Sequence, residues 1–135
     1  MKHYSLLVFG FLQLTVFAQD IKDFEKPPVF PECENQDVAQ LKSCFYNQLS
    51  QFVYSNFKVP QIVNDENYNG EVIVLFEVNA EGNFVVIYTD AIYNELKEET
   101  KRVFGELPKI KPAIKKGFSV TTQYKLPVKI SVKSQ

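Results

Sequence analysis

Between residues 70 and 89 the chain alternates apolar and polar positions twice, with the turn-forming segment Asn79-Ala80-Glu81-Gly82-Asn83 between the two runs. A period of two is the signature of a strand, so this stretch predicts a β-hairpin. In its first strand Val72, Val74, Phe76 and Val78 fall on one face, while Ile73 and Leu75 fall on the other. A strand that is apolar on both faces belongs in the middle of its sheet. A third alternating run closes the chain over residues 119–132: Val120, Thr122, Tyr124, Leu126, Val128 and Ile130 against Thr121, Gln123, Lys125 and Lys129. That pattern predicts a strand with one buried face, and Pro127, which lacks an N–H, places its outer side at a sheet edge.

Elsewhere the period is that of a helix. Val38, Leu41, Phe45, Leu49, Phe52 and Val53 recur at steps of three and four, which predicts an amphipathic helix. Asp37 with Gln40 three residues on resembles a capping box, and Pro60 stops the helix at or before Val59. Residues 61–69 are polar and read as a loop or a ragged helical turn. A second helix is predicted along the stripe Leu96, Thr100, Val103 and Phe104, with Asn94 as its cap and Gly105 at its end. Pro108 and Pro112 make residues 107–113 an extended connector, and Gly117 marks a bend. The fold class that follows is α+β: a two-layer arrangement of a three-stranded antiparallel sheet packed by two helices, in the order helix-strand-strand-helix-strand. Both helices are expected on the face that carries Val72, Val74 and Phe76.

Before these elements come one Lys near the start, an apolar run over residues 6–17 with polar interruptions at Gln13 and Thr15, and Val16-Phe17-Ala18. About a dozen apolar residues fall short of the roughly 20 that span a bilayer. Residues 1–18 therefore read as a signal peptide cleaved after Ala18, the alternative being an uncleaved membrane anchor. Cleavage leaves 117 of 135 residues, enough for one domain and too few for two. Three prolines (Pro27, Pro28, Pro31) make residues 19–36 an extended, Pro-rich lead-in. An exported chain meets an oxidising compartment, so Cys33 and Cys44 read as a disulfide pinning the lead-in to the first helix. Closing so short a loop stabilises a fold by roughly 2 to 3 kcal/mol in the chain-entropy model. The alternative, a redox or metal pair, lacks the C-x-x-C spacing.

Charge is unevenly placed. All sixteen acids lie at or before Glu106, giving residues 19–106 a net charge of minus nine, whereas seven Lys and no acid follow from Leu107 onward. A basic strip of this kind can recruit nucleic acid or acidic membrane or is simply the solvated face of a strand; an exported chain rarely meets nucleic acid, so no nucleic-acid partner is expected and the solvated face is the simpler reading. The only His is His3, inside the leader, which removes Ser-His-Asp and Cys-His catalysis and histidine metal sites from the rest. The four later glycines are too scattered to cradle a phosphate, and adjacent acids such as Glu98-Glu99 and Asp65-Glu66 read as solvated surface. The expectation is a protein that is not an enzyme and carries no cofactor or metal. Most of the twelve Phe and seven Tyr sit at core positions; Tyr88, Tyr93 and Tyr124 are the candidates for lining an exposed groove.

The run Gly70-x-Val72-x-Val74-x-Phe76-x-Val78, then Gly82, a helix, Leu107-Pro108-Lys109-Ile110-Lys111-Pro112-Ala113, Gly117, and a strand ending Tyr124-Lys125-Leu126-Pro127-Val128 resembles the TonB C-terminal domain. Val59-Pro60 stands where that family has an aromatic-Pro pair, and Ile110 where it usually has an aromatic before Lys-Pro. The resemblance implies a domain over residues 37–135 whose last strand is an edge that pairs with a short extended peptide of an outer-membrane transporter, the β-augmentation mode of recognition. On that implication the partner-binding residues are Ser119, Thr121, Gln123, Tyr124, Lys125 and Lys129, the lysines favouring an acidic peptide. The expected location is the periplasm, with a membrane-anchored or secreted protein as the alternative. The expected role is that of a non-catalytic binding module related to transmembrane transport. With a cleavable leader and about eighteen residues before the first helix, in place of an anchor and a long spacer, the domain is expected to stand apart from any motor. The competing expectation is a self-associating structural envelope protein using the same edge.

Overall fold

A computed structural model describes residues 25–132; the leader, residues 1–18, lies outside them. The long apolar stripe forms helix α1 (Val38–Asn56), followed by the short α2 (Gln61–Asp65), strands β1 (Asn69–Val78) and β2 (Phe84–Asp90), helix α3 (Asn94–Gly105), a small hairpin of β3 (Ala113–Lys115) and β4 (Phe118–Val120), and strand β5 (Thr122–Ser131). The main sheet has the order β2-β1-β5, so the two-faced β1 is central as its pattern requires. Both of its pairings are antiparallel, running from Val78 opposite Phe84 on one side and from Val78 opposite Thr122 to Asn69 opposite Ser131 on the other.

The helices cover one face of this sheet. Val72, Val74, Phe76 and Val78 from β1 and Tyr124, Leu126, Val128 and Ile130 from β5 are buried there with Phe45, Leu49 and Val53 of α1 and Leu96, Val103 and Phe104 of α3. Aromatic rings occupy the middle: Phe76 lies 5.1 Å from Phe104 and 5.6 Å from Tyr124, and Phe45 lies 4.9 Å from Tyr124, between ring centres. The opposite sheet face, with Ile73 and Leu75 half-buried at its centre, has no helix over it among the described residues.

Local chemistry departs from expectation at both helix starts. Asp37 is the N-cap of α1, but its side chain makes no capping bond; the bond to Gln40 N–H comes from the Asp37 carbonyl. Asn94 is the first residue of α3 rather than its cap, which is Tyr93. The final alternating run is also not one strand. It breaks at Thr121, so that residues 118–120 turn away to pair with β3, and the bend at Gly117 becomes a tight turn with positive φ at both Lys116 (50°) and Gly117 (80°). That is the geometry a two-residue hairpin prefers.

The lead-in is extended, as its prolines require, and it is stitched into the fold. Val29 exchanges backbone hydrogen bonds with Lys111 (2.9 and 3.2 Å), and Lys26 does the same with Ile114 (3.2 and 2.9 Å). Val29 and Phe30 are buried, and after the single 3-10 turn Pro31–Cys33 a Cys33–Cys44 disulfide joins the segment to α1.

Candidate partner-binding edge

The phase of the β1–β2 hairpin decides which backbone groups of the sheet are free. Asn79 donates its N–H to the Asn83 carbonyl at 3.0 Å, so alternate residues back along β1 (Glu77, Leu75, Ile73, Glu71) direct their polar groups to β2 and those between them to β5. Their β5 partners Thr122, Tyr124, Leu126, Val128 and Ile130 then face β1, while Gln123, Lys125, Pro127 and Lys129 direct N–H and C=O away from the sheet. Two independent features agree with this phase. Pro127 sits where no ladder bond is lost, and the Lys129 N–H points outward to the Tyr54 hydroxyl at 2.9 Å.

The outer side of β5 is therefore an edge of limited length. Pro127 has no donor and Tyr54, at the last turn of α1, occupies the donor of Lys129. The N–H groups of Gln123 and Lys125 make no hydrogen bond among the described residues. A short free stretch ended by proline and a side-chain cap is how natural sheets limit indiscriminate pairing.

Of the six residues expected to contact a partner, three lie together on this edge. Gln123, Lys125 and Lys129 expose their side chains on the open sheet face. Lys129 stands opposite Glu71 in the register and Gln123 opposite Glu77, whereas Lys125 stands opposite Leu75 and so keeps a cation without an acid across the strand pair. Thr121 is committed internally: its hydroxyl accepts the Ala80 N–H at 3.1 Å and ties the β1–β2 turn to the start of β5. Ser119 lies on β4, opposite Ile114, and not on the edge. Tyr124 is buried on the inner face against Phe45 and Phe76, so its side chain belongs to the core; burial raises its pKa above the ordinary tyrosine value, the Thr122 hydroxyl opposing that shift. Of the other tyrosines considered for a groove, Tyr88 is exposed on β2, and Tyr93 is half-buried with its ring edge-on to Tyr68.

Tyr54 is the residue that sequence reading missed. Its signal was present but weak: it falls beside the apolar stripe of α1, next to Val53, where an aromatic residue is normally only surface.

Among the described residues no three His, Cys, Asp or Glu side chains are grouped to hold a metal ion, and no helix is long and apolar enough to cross a membrane. No protein-family model and no curated protein matches the chain. Among solved structures it is similar to two NMR structures of the Helicobacter pylori TonB C-terminal domain. For residues 179–285 of that protein the identity is 21%, covering 67% of this chain and 83% of the other, with a TM-score of 0.49. For residues 194–285 it is 23%, covering 67% and 97%, with a TM-score of 0.45.

Proposed function

We infer that this chain is an exported, non-catalytic binding module that captures a short extended peptide as a fourth strand on the outer side of β5. The observation that carries this reading is the edge itself. The outward N–H groups of Gln123 and Lys125, unbonded among the described residues, and the outward carbonyls of Gln123, Lys125, Pro127 and Lys129 lie on a strand paired along its whole length to β1. A peptide strand satisfies those groups in line, and main-chain bonds supply affinity while side-chain contacts supply selectivity. Lys125, with no acid across the strand pair, favours a peptide carrying a carboxylate near that position.

Within the resemblance set out from the sequence, the N-terminal segment of a TonB-dependent outer-membrane transporter is the partner to test first, and the periplasm is the compartment in which to test it. The disulfide-bonded lead-in suits an oxidising compartment. The test is capture of such a peptide by the intact protein and by a Gln123→Pro variant, after circular dichroism shows that the variant folds. Removing one of two free donors and kinking the edge is expected to abolish capture, whereas Tyr54→Phe, which releases the Lys129 N–H, is expected to tighten it a few-fold, the size of one net hydrogen bond. Unchanged capture by Gln123→Pro would sink this reading.

The same edge offered to a second copy is the competing use. Concentration-dependent sedimentation that disappears in Gln123→Pro would favour it.

A further inference from the structure

The sheet has a second edge, and its surroundings differ from those of the first. Of the eight large apolar residues exposed among the described ones, four fall within residues 85–92: Val85, Ile87 (46% exposed), Tyr88 (59%) and Ile92 (76%). So strong a concentration on one strand and the loop after it marks a surface built for contact rather than scattered exposure. Beside it β2 and α3 enclose a groove of about 490 Å³. One wall is the strand, including Ile87, Tyr88 and Thr89; the other is a single stripe of α3 made by Asn94, Lys97 and Lys101, spaced three and four apart. No acid lines it. Lys101 does reach Glu98 at 3.4 Å, but both side chains are more than half exposed, and such a pair is readily exchanged for another carboxylate.

The backbone of β2 narrows the choice of occupant. By the hairpin phase Phe84, Val86 and Thr89 direct their polar groups away from β1, and no hydrogen bond among the described residues satisfies them. A bulge opposite Leu75 inserts Ile87 and lengthens the interval between Val86 and Thr89 to three residues. A long regular strand cannot stay in register across that interruption, whereas a short segment can pair on one side of it. A second copy of this chain fits poorly, because twofold pairing of β2 edges sets the Lys97 and Lys101 of each copy toward those of the other.

We propose that the groove between β2 and α3 is a second docking site, distinct from the β5 edge, for a short extended peptide with an aliphatic residue seated on Ile87 and a carboxylate between Lys97 and Lys101. Both edges of the sheet then serve recognition, and one protein bridges two partner segments.

Titration of the folded, disulfide-bonded protein with a hexapeptide alternating Val and Glu, followed by amide chemical-shift mapping, tests the site directly. The expected result is saturable shifts at Val86, Thr89, Lys97 and Lys101. They should weaken about tenfold in a Lys97→Glu/Lys101→Glu double variant, the loss expected for two partly exposed ion pairs. They should persist in Gln123→Pro, whose expected loss of transporter-peptide capture concerns only the other edge. Shifts confined to β5, equal binding of a Val-Lys hexapeptide, a β2-dependent dimer in sedimentation, or stronger binding to phosphatidylglycerol vesicles than to the peptide would each overturn the proposal.

Discussion

At the scale of single residues, the tightest constraint in the molecule is at Gly82, in the turn that joins β1 to β2. Its φ is +88°, and its carbonyl accepts the Ile110 N–H at 3.0 Å. A Cβ built there would stand 1.8 Å from the Ile110 carbonyl oxygen, which belongs to the backbone and cannot swing aside. Gly82→Ala therefore meets two penalties at once, a left-handed backbone with a side chain and a forced separation of the turn from the connector before β3. We expect a loss of about 2 kcal/mol or more, read as a lower urea midpoint with an unchanged slope. Gly117 offers the control: its φ is +80°, but nothing lies within 4 Å of an added Cβ, so Gly117→Ala should show the backbone penalty alone. The sequence announced Gly82 as a turn residue, yet gave no hint of its contact with Ile110, because a backbone approach between segments nearly thirty residues apart leaves no periodic trace.

At the scale of elements, α1 and α3 are joined by polar groups at the end of α1. Arg102 on α3 donates to the Asn56 carbonyl at 2.8 Å and to Glu99, and Glu99 accepts the Lys58 N–H at 2.9 Å. The backbone groups left over where α1 ends are thus met by side chains of another helix. The hydrogen bond from Arg102, followed by that from the Lys58 backbone, holds the Glu99 pKa below its ordinary value. A carboxylate with a depressed pKa contributes stability above its unfolded value and loses it as pH falls through the folded one. Glu99→Gln should therefore lower the thermal midpoint at pH 7. The gap between variant and wild type should begin to narrow as pH drops below the ordinary value of 4.5 and close only once pH has passed the lowered folded value, where the Glu99 carboxyl is neutral in both states. A gap that stays constant down to pH 3 would place the effect in packing instead. The elements themselves were largely legible, since period-two and helical patterns over β1, α1, α3 and β5 reflect burial on one or both faces. What escaped was the β3–β4 hairpin: at three residues a side, its apolar residues Ala113, Ile114, Phe118 and Val120 are too few to show a period, and Phe118 is 76% exposed. The edge was legible for a related reason. Pro127 and a two-faced β1 fix which strand is outermost, whereas the Tyr54 cap depends on where a helix end happens to pass.

At the scale of the whole molecule, the lead-in and the last third of the chain hold one another in place around α1. Residues 25–29 pair with residues 111–114, Glu25 accepts the Lys116 N–H at 2.8 Å, and Lys111 reaches Glu34 at 3.1 Å. Of these contacts the exposed ion pair adds least, and the backbone bonds depend on the lead-in first being held close. The Cys33–Cys44 bond does that, closing a separation of eleven residues between the lead-in and the second turn of α1. Reduction should add two hydrogens by mass and lower stability by roughly 2 to 3 kcal/mol, which for a domain of this size is a fall on the order of 10 °C or more in the thermal midpoint. The β5 edge lies on the far side of β1 from β2 and, among the described residues, makes no bond to the lead-in. Peptide capture at β5 should accordingly survive reduction below the new midpoint, while amide exchange at Val29, Lys111 and Ile114 accelerates. Loss of capture in step with that acceleration would show instead that the lead-in and the edge open as one unit.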